Sequence, residues 1–252
     1  MNTCQDVAEK FKVQLEALKR RSVADPPPAH CLPKCVRCGD TTWIQMHGGV
    51  MRCPDCFLGS REVAAPSVPQ EFRTALLSNY KVLNGGGAAV KAAKAWLQAG
   101  VGDLYLFGGV GCGKTRLACS LLNETYQERR DGMFTRTTGL LFLLQPSKEE
   151  GRREAMWRQV RETPILVLDD IGAERDTATD FTSRTILQIY EDRYDHGLRT
   201  IWTSNKSLEE LSKQMEDDRL VSRIAGRSIV AELLVTDQRI VRRDRDVGNA
   251  RA

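Results

Sequence analysis

Gly108-Gly109-Val110-Gly111-Cys112-Gly113-Lys114-Thr115 fits the pattern G-x-x-x-x-G-K-[ST] at every defined position. Asp103 to Phe107, just before it, is an apolar run of strand length, and Arg116 to Arg130, after it, is long and apolar enough for a helix. A strand, a glycine loop and a helix in that order make a phosphate cradle. The glycines let successive backbone N–H groups turn toward phosphate oxygens at the positive end of the helix dipole. Gly108, Gly109, Val110, Gly111, Cys112 and Gly113 would form the cradle, with Cys112 as a spacer. Lys114 would reach the outer phosphates and Thr115 would hold Mg²⁺ beside them.

Downstream, Ile165-Leu-Val-Leu168 is a continuous apolar run ending in Asp169-Asp170, as a central parallel strand that delivers carboxylates at its C-terminal edge should read. This is a Walker B element. Asp169 would join Thr115 at the magnesium and Asp170 would orient the attacking water. A further strand, Arg199 to Trp202, ends at Thr203-Ser204-Asn205, where a polar residue can meet the outermost phosphate or the water. Asp218-Arg219-Leu-Val-Ser-Arg223 sets two arginines one helical turn apart, suited to reaching the nucleotide of a neighbouring subunit.

Between these motifs the apolar spacing predicts helices over Ala88–Ala99, Gly139–Gln145, Lys148–Glu162, Thr179–His196 and Leu208–Met215, and strands over Met133–Thr137 and Ala231–Val235. Arg152, Arg153, Arg158 and Arg161 either meet DNA phosphates or form a solvated helix face.

The first seventy residues read differently. Val7, Phe11, Leu15 and Leu18 recur at helical spacing, giving an amphipathic helix within residues 1–24 that either packs on the next domain or docks in a partner's groove. Asp25-Pro-Pro-Pro28 ends it. Cys35-Val-Arg-Cys38 and Cys53-Pro-Asp-Cys56 then stand fourteen residues apart and offer four thiolates for a structural Zn²⁺. Thr42–Met46 and Val50–Arg52 between them alternate as a hairpin would, so residues 30–60 read as a zinc ribbon. Cys31, His30 and His47 are alternative ligands. Residues 61–70 read as a linker to a large domain at 71–243, and residues 244–252 as the end of a basic tail whose charge lies in Asp237 through Arg245.

The chain of 252 residues carries a net charge of +4, which permits nucleic-acid contact without requiring it. No apolar run approaches the ~20 residues of a membrane span, and Asp6 and Glu9 interrupt any signal-peptide core. The expectation is a cytoplasmic protein with no membrane partner, in which clustered cysteines bind metal rather than form disulfides.

Together these motifs resemble the bacterial helicase-loader ATPases of the DnaC/DnaI type, within the AAA+ class. The resemblance rests on Gly108–Thr115, Leu168-Asp-Asp-Ile-Gly-Ala-Glu174, Thr203-Ser-Asn205 and Asp218–Arg223, and spans about Glu71 to Arg243. It implies an α/β fold, an AAA+ P-loop NTPase core of parallel sheet flanked by helices, preceded by the N-terminal helix and a small zinc ribbon like that of the DnaI branch. It also implies an ATPase using ATP and Mg²⁺, which contacts single-stranded DNA and places the hexameric replicative DNA helicase onto it, with self-association through ATPase domains. Lys114 and Thr115 match the phosphate-loop pair and Asp169 and Asp170 the Walker B acids. Asn205 matches sensor 1, Arg223 the arginine finger, and Arg239 falls near sensor 2. Asp170 stands where many AAA+ proteins carry Glu, one methylene longer, and the shorter acid suits a slow switch; Glu174 is a second candidate for its task.

Three rivals remain. An IstB-like helper of DNA transposition shares the ATPase core but generally has another kind of N-terminal region. A small-molecule kinase shares the phosphate loop but gives no task to Asn205 and the paired arginines. An adaptor with a vestigial ATPase has no use for intact Lys114, Thr115 and Asp169.

Overall fold

The computed structural model describes residues 43–46, 49–52, 65, 67–82, 85–127, 131–173, 180–215 and 218–234. Strands β1 (Trp43–Met46) and β2 (Gly49–Arg52) pair antiparallel, with Trp43 opposite Arg52 and Met46 opposite Gly49, which is the expected hairpin. The N-terminal helix, Cys31, Cys35, Cys38, Cys53, Cys56, His30, His47, Glu174, Arg239 and the tail lie outside the described residues.

From Gly87 onward one or two helices separate successive strands: α1 (Gly87–Ala99), β3 (Asp103–Gly108), α2 (Lys114–Gln127), β4 (Gly132–Arg136), α3 (Thr137–Leu144), α4 (Glu150–Glu162), β5 (Ile165–Ile171), α5 (Asp180–Asp195), β6 (Arg199–Ser204), α6 (Leu208–Met215), α7 (Asp218–Arg227) and β7 (Ser228–Leu233). The five strands form one parallel sheet in the order β4-β5-β6-β3-β7. Alternation along each strand divides the core between two faces. Leu104, Leu106, Val167 and Ile201 pack with Trp96 of α1 and Leu117 and Leu121 of α2. Tyr105, Leu166, Leu168 and Trp202 pack with Leu140 of α3, Ile186 and Ile189 of α5 and Ile224 of α7. This is the α/β architecture expected of a P-loop NTPase.

Several element ends shift by one to three residues from the sequence reading: Thr137, read as the end of a strand, opens α3. The last strand begins at Ser228 rather than Ala231, because α7 runs to Arg227 and Ser228 already pairs with Asp103 on β3. The packed unit also reaches back into the segment read as linker. Ala65 and Val68 are buried, and Ser67 Oγ accepts the Phe134 N–H at 2.8 Å. Asn123 Nδ2 of α2 then donates to the carbonyls of Phe72 (3.0 Å), Arg73 (3.4 Å) and Ala75 (2.9 Å), so the segment is laid along the helix that follows the phosphate loop.

At the opposite end of the sheet the buried Arg193 of α5 ties three elements together. Its Nε donates to Thr200 Oγ1 (2.9 Å), Nη1 to the carbonyls of Val160 (2.7 Å) and Thr163 (2.8 Å), and Nη2 to the Arg199 carbonyl (2.6 Å). Burial pulls its pKa down to about 10, opposed by the Asp103 carboxylate, so the guanidinium stays charged at neutral pH. Arg193→Met keeps the length but takes the donor from two buried carbonyls, Val160 and Arg199, and from the part-buried Thr163 carbonyl. We expect a loss of about 3 kcal/mol, read as a lower urea midpoint; an unmoved midpoint would mean that the end of the sheet holds without this bridge.

Candidate nucleotide-binding site

Because the sheet is parallel, the ends of β3, β5 and β6 meet on one edge, and the sequence motifs meet there with them. β3 runs into the loop Gly109–Gly113, and α2 begins at Lys114. The glycines at the two ends of this turn leave no room for a side chain. Gly108 (φ 149°) and Gly113 (φ 102°) are left-handed, and a Cβ would stand 2.5 Å from the Leu233 carbonyl oxygen at the first and 2.9 Å from the Tyr80 hydroxyl at the second. Tyr80 backs the loop from behind, donating its hydroxyl to the Gly113 carbonyl at 3.4 Å. Burial, and less so Cys112, pushes that hydroxyl up to about 12, so it remains a donor.

All three N–H donors of the buried Lys114 ammonium are engaged: with the carbonyls of Gly108 (2.9 Å) and Gly109 (2.8 Å) and with Asn205 Oδ1 (2.8 Å). Asn205 Nδ2 in turn donates to Asp170 Oδ1 at 2.8 Å. The first residue of α2, the residue after β6 and the second Walker B acid thus form one hydrogen-bonded chain.

Asp169 collects hydroxyls from three elements. Thr115 Oγ1 (3.0 Å) and Thr203 Oγ1 (2.7 Å) both donate to its Oδ1, and Thr137 Oγ1 at the start of α3 donates to its backbone carbonyl at 2.9 Å. Burial raises the Asp169 pKa, while the hydrogen bonds from Thr203 and Thr115 pull the other way. A hydroxyl and a buried carboxylate sharing one point are hard oxygen ligands of the kind Mg²⁺ takes, and the glycine cradle beside Lys114 is shaped for phosphate, so the donor set fits a magnesium nucleotide.

Asp170 is the one non-glycine residue with positive φ (64°) among the described residues. Its conformation follows from a slip in register. Leu168 pairs with Trp202 and Ile171 with Ser204, so Asp169 and Asp170 together oppose the single residue Thr203, a β-bulge. Thr203 fills the bulge: besides donating to Asp169, its Oγ1 accepts the Asp170 N–H at 2.9 Å. Ser204 Oγ closes it by donating to the Ile171 carbonyl at 2.7 Å.

The structure therefore brings together Gly108 to Thr115, Asp169, Asp170 and Asn205. It does not bring Arg223 to them. That guanidinium, about half exposed, pairs with Glu191 of α5. The Arg223 backbone carbonyl accepts the Tyr190 hydroxyl at 3.0 Å. Of the helix-face arginines, Arg161 pairs with Asp192 at 3.1 Å and Arg153 donates to the Pro146 carbonyl at 3.0 Å, while Arg152 and Arg158 are exposed. Thr137 and Tyr80 join the site without a role read for them in the sequence, and Thr203 is named there only within Thr203-Ser204-Asn205. Thr203 alone carried a signal, its place in Thr-Ser-Asn at a strand end. Among the described residues no helix is long and apolar enough to cross a membrane.

The family model described as IstB-like ATP binding protein matches residues 92–244. The replicative helicase loader DnaI of Bacillus subtilis is 34% identical over 121 residues, which cover 47% of this chain and 38% of that protein. The insertion sequence ATP-binding protein y4iQ/y4nD/y4sD of Sinorhizobium fredii is 26% identical over 156 residues, 60% of this chain and 51% of that protein. The alignments thus span well under two thirds of either relative's length. A crystal structure of the DnaC helicase loader matches with a TM-score of 0.58 and 26% identity, covering 66% of this chain and 99% of that one.

Proposed function

The chain belongs to the IstB-like ATP-binding protein family, and from that premise we propose that it is an AAA+ ATPase that uses ATP to deliver a hexameric replicative helicase onto single-stranded DNA. The observation that carries the ATPase part of the reading is the run Lys114–Asn205–Asp170, in which one amide joins the ammonium to the carboxylate.

In this reading the backbone N–H groups of Gly109 to Lys114 hold the phosphates. Lys114 exchanges its carbonyl and Asn205 partners for phosphate oxygens, which releases Asn205 to orient the water and Asp170 to accept its proton. Thr115 Oγ1 and Asp169 Oδ1 would hold the magnesium, whose part is to neutralise phosphate charge. Arg223, half exposed on α7, serves the nucleotide of a neighbouring copy once ATPase domains associate. The short Asp170 side chain keeps turnover slow, as suits a switch that resets an assembly. A cytoplasmic location follows from that task.

The helicase reading draws on the likeness to DnaI and DnaC and on the hairpin. Trp43 pairs with Arg52, so the outer ends of β1 and β2, which adjoin the two cysteine pairs in sequence, lie together. We take Cys35, Cys38, Cys53 and Cys56 as ligands of a structural Zn²⁺ in a module at residues 30–60. That module and the helix at 1–24 form the helicase-docking region, joined through residues 61–64 to the ATPase domain, which reads as 71–243 in sequence but whose packed unit takes in Ala65 and Val68, with residues 244–252 as a tail. Cys53→Ser is expected to lower zinc content, measured by metal analysis, while ATP-analogue affinity stays unchanged. Full zinc retention would move the ligand set to Cys31.

The second reading, a transposition helper, is favoured by the family description and by the insertion-sequence relative. Affinity capture of the tagged chain from source-cell lysate, with and without Mg-ATP, separates the two. Recovery of the replicative helicase with ATP supports the loader; recovery of a transposase with no helicase supports the helper.

A further inference from the structure

Resting on the ATPase reading above, we infer that Thr203 is a positioning residue for both Walker B acids. Its single hydroxyl sets the bulge that aims Asp169 at the metal position and Asp170 at the water position.

The argument begins with the pairing of β5 and β6. Two β5 residues face Thr203 alone, and the extra residue has to be absorbed somewhere. It is absorbed at Asp170, whose φ of 64° is a conformation that L-residues adopt rarely and that persists where the surroundings over-determine it. Thr203 supplies part of that determination. Its Oγ1 accepts the Asp170 N–H at 2.9 Å and donates its own proton to Asp169 Oδ1 at 2.7 Å, using the hydroxyl once in each sense. Thr203 is buried, so water does not stand in for its bond to Asp169.

Both bonds have consequences at the reacting edge. The donation fixes the rotamer in which Asp169 Oδ1 also faces Thr115 Oγ1, at 3.0 Å. The acceptance fixes the peptide that turns the Asp170 carboxylate toward Asn205 Nδ2, at 2.8 Å. Without the hydroxyl, the glycine backbone and the bonds of Lys114 to the Gly108 and Gly109 carbonyls remain, since none of them uses it. Nucleotide binding and turnover should therefore part company.

The test compares Thr203→Val, which keeps the shape and removes the hydroxyl, with Thr203→Ser, which keeps the hydroxyl. For Thr203→Val in the full chain we expect affinity for a fluorescent ATP analogue within about threefold of the original. Half-saturation of that binding should need about tenfold more Mg²⁺, and single-turnover ATP hydrolysis should be at least about tenfold slower. Deuterium exchange at the Asp170 amide, measured without nucleotide, should be faster by a similar factor. Thr203→Ser should restore all of these to within about threefold. Should Thr203→Val not fold, Thr203→Ala removes the same hydroxyl and is compared with Thr203→Ser in its place. Turnover at the original rate in the hydroxyl-free variant, or equal slowing in Thr203→Ser, overturns the inference while leaving the ATPase reading intact. An unsubstituted chain that does not hydrolyse Mg-ATP overturns that reading, and the role of Thr203 with it.

Discussion

Lys114→Ala is expected to weaken binding of a fluorescent ATP analogue at least about a hundredfold, the largest effect of any single change considered. The ammonium is buried and its three N–H groups already converge on the mouth of the glycine loop, toward the carbonyls of Gly108 and Gly109 and toward Asn205. A charge-assisted hydrogen bond to phosphate at such a site contributes roughly 1.5–3 kcal/mol. Removing two of them at once accounts for the hundredfold. The fold should survive. Gly109 is exposed, so water replaces the missing donor at its carbonyl, and no apolar packing in the core depends on Lys114. Unchanged affinity would remove the phosphate-loop assignment.

Asp170→Asn is expected to slow ATP hydrolysis about a hundredfold while leaving ATP affinity within about threefold. Asparagine is the conservative replacement for a reason particular to this position. It tolerates left-handed backbone as well as aspartate does, so the φ of 64° is kept, and its own Oδ1 still accepts from Asn205 Nδ2. Only the capacity to take a proton is lost. Alanine would confound the chemistry with strain in the bulge. Turnover that persists in Asp170→Asn would place the base elsewhere, with Glu174 the first residue to test.

Much of this site was legible because its chemistry requires fixed local spacing. A phosphate cradle needs glycines, lysine and threonine in consecutive positions, and a central parallel strand needs an apolar run ending in acids. Both survive as patterns in one dimension. The bulge at Asp169-Asp170 does not. It arises from the register between β5 and β6, which are distant in sequence, and nothing near Asp170 announces a positive φ. Thr137 was invisible for the same reason, since its partner is the Asp169 carbonyl on the neighbouring strand.

Arg193 looked like one more charged residue on a helix. Its burial follows from the carbonyls of Val160, Thr163 and Arg199 converging at the far end of the sheet. Ala65 and Val68 sat in a proline-marked stretch that reads as linker, yet they pack in the core because the segment from Ser67 onward is tied to Phe134 and Asn123. In each case the deciding interaction is long-range, and propensity sees only neighbours.

The central claim is that ATP binding at this site governs delivery of a helicase onto DNA, and a loading assay tests it most directly. The source organism's purified hexameric helicase is mixed with circular single-stranded DNA, with and without this chain and Mg-ATP, and DNA-bound helicase is measured. We predict that stable helicase binding to the circle requires both the chain and ATP, and that it fails with Lys114→Ala. Helicase bound equally well without the chain, together with ATP-dependent stimulation of a transposase by the same preparation, would contradict the account.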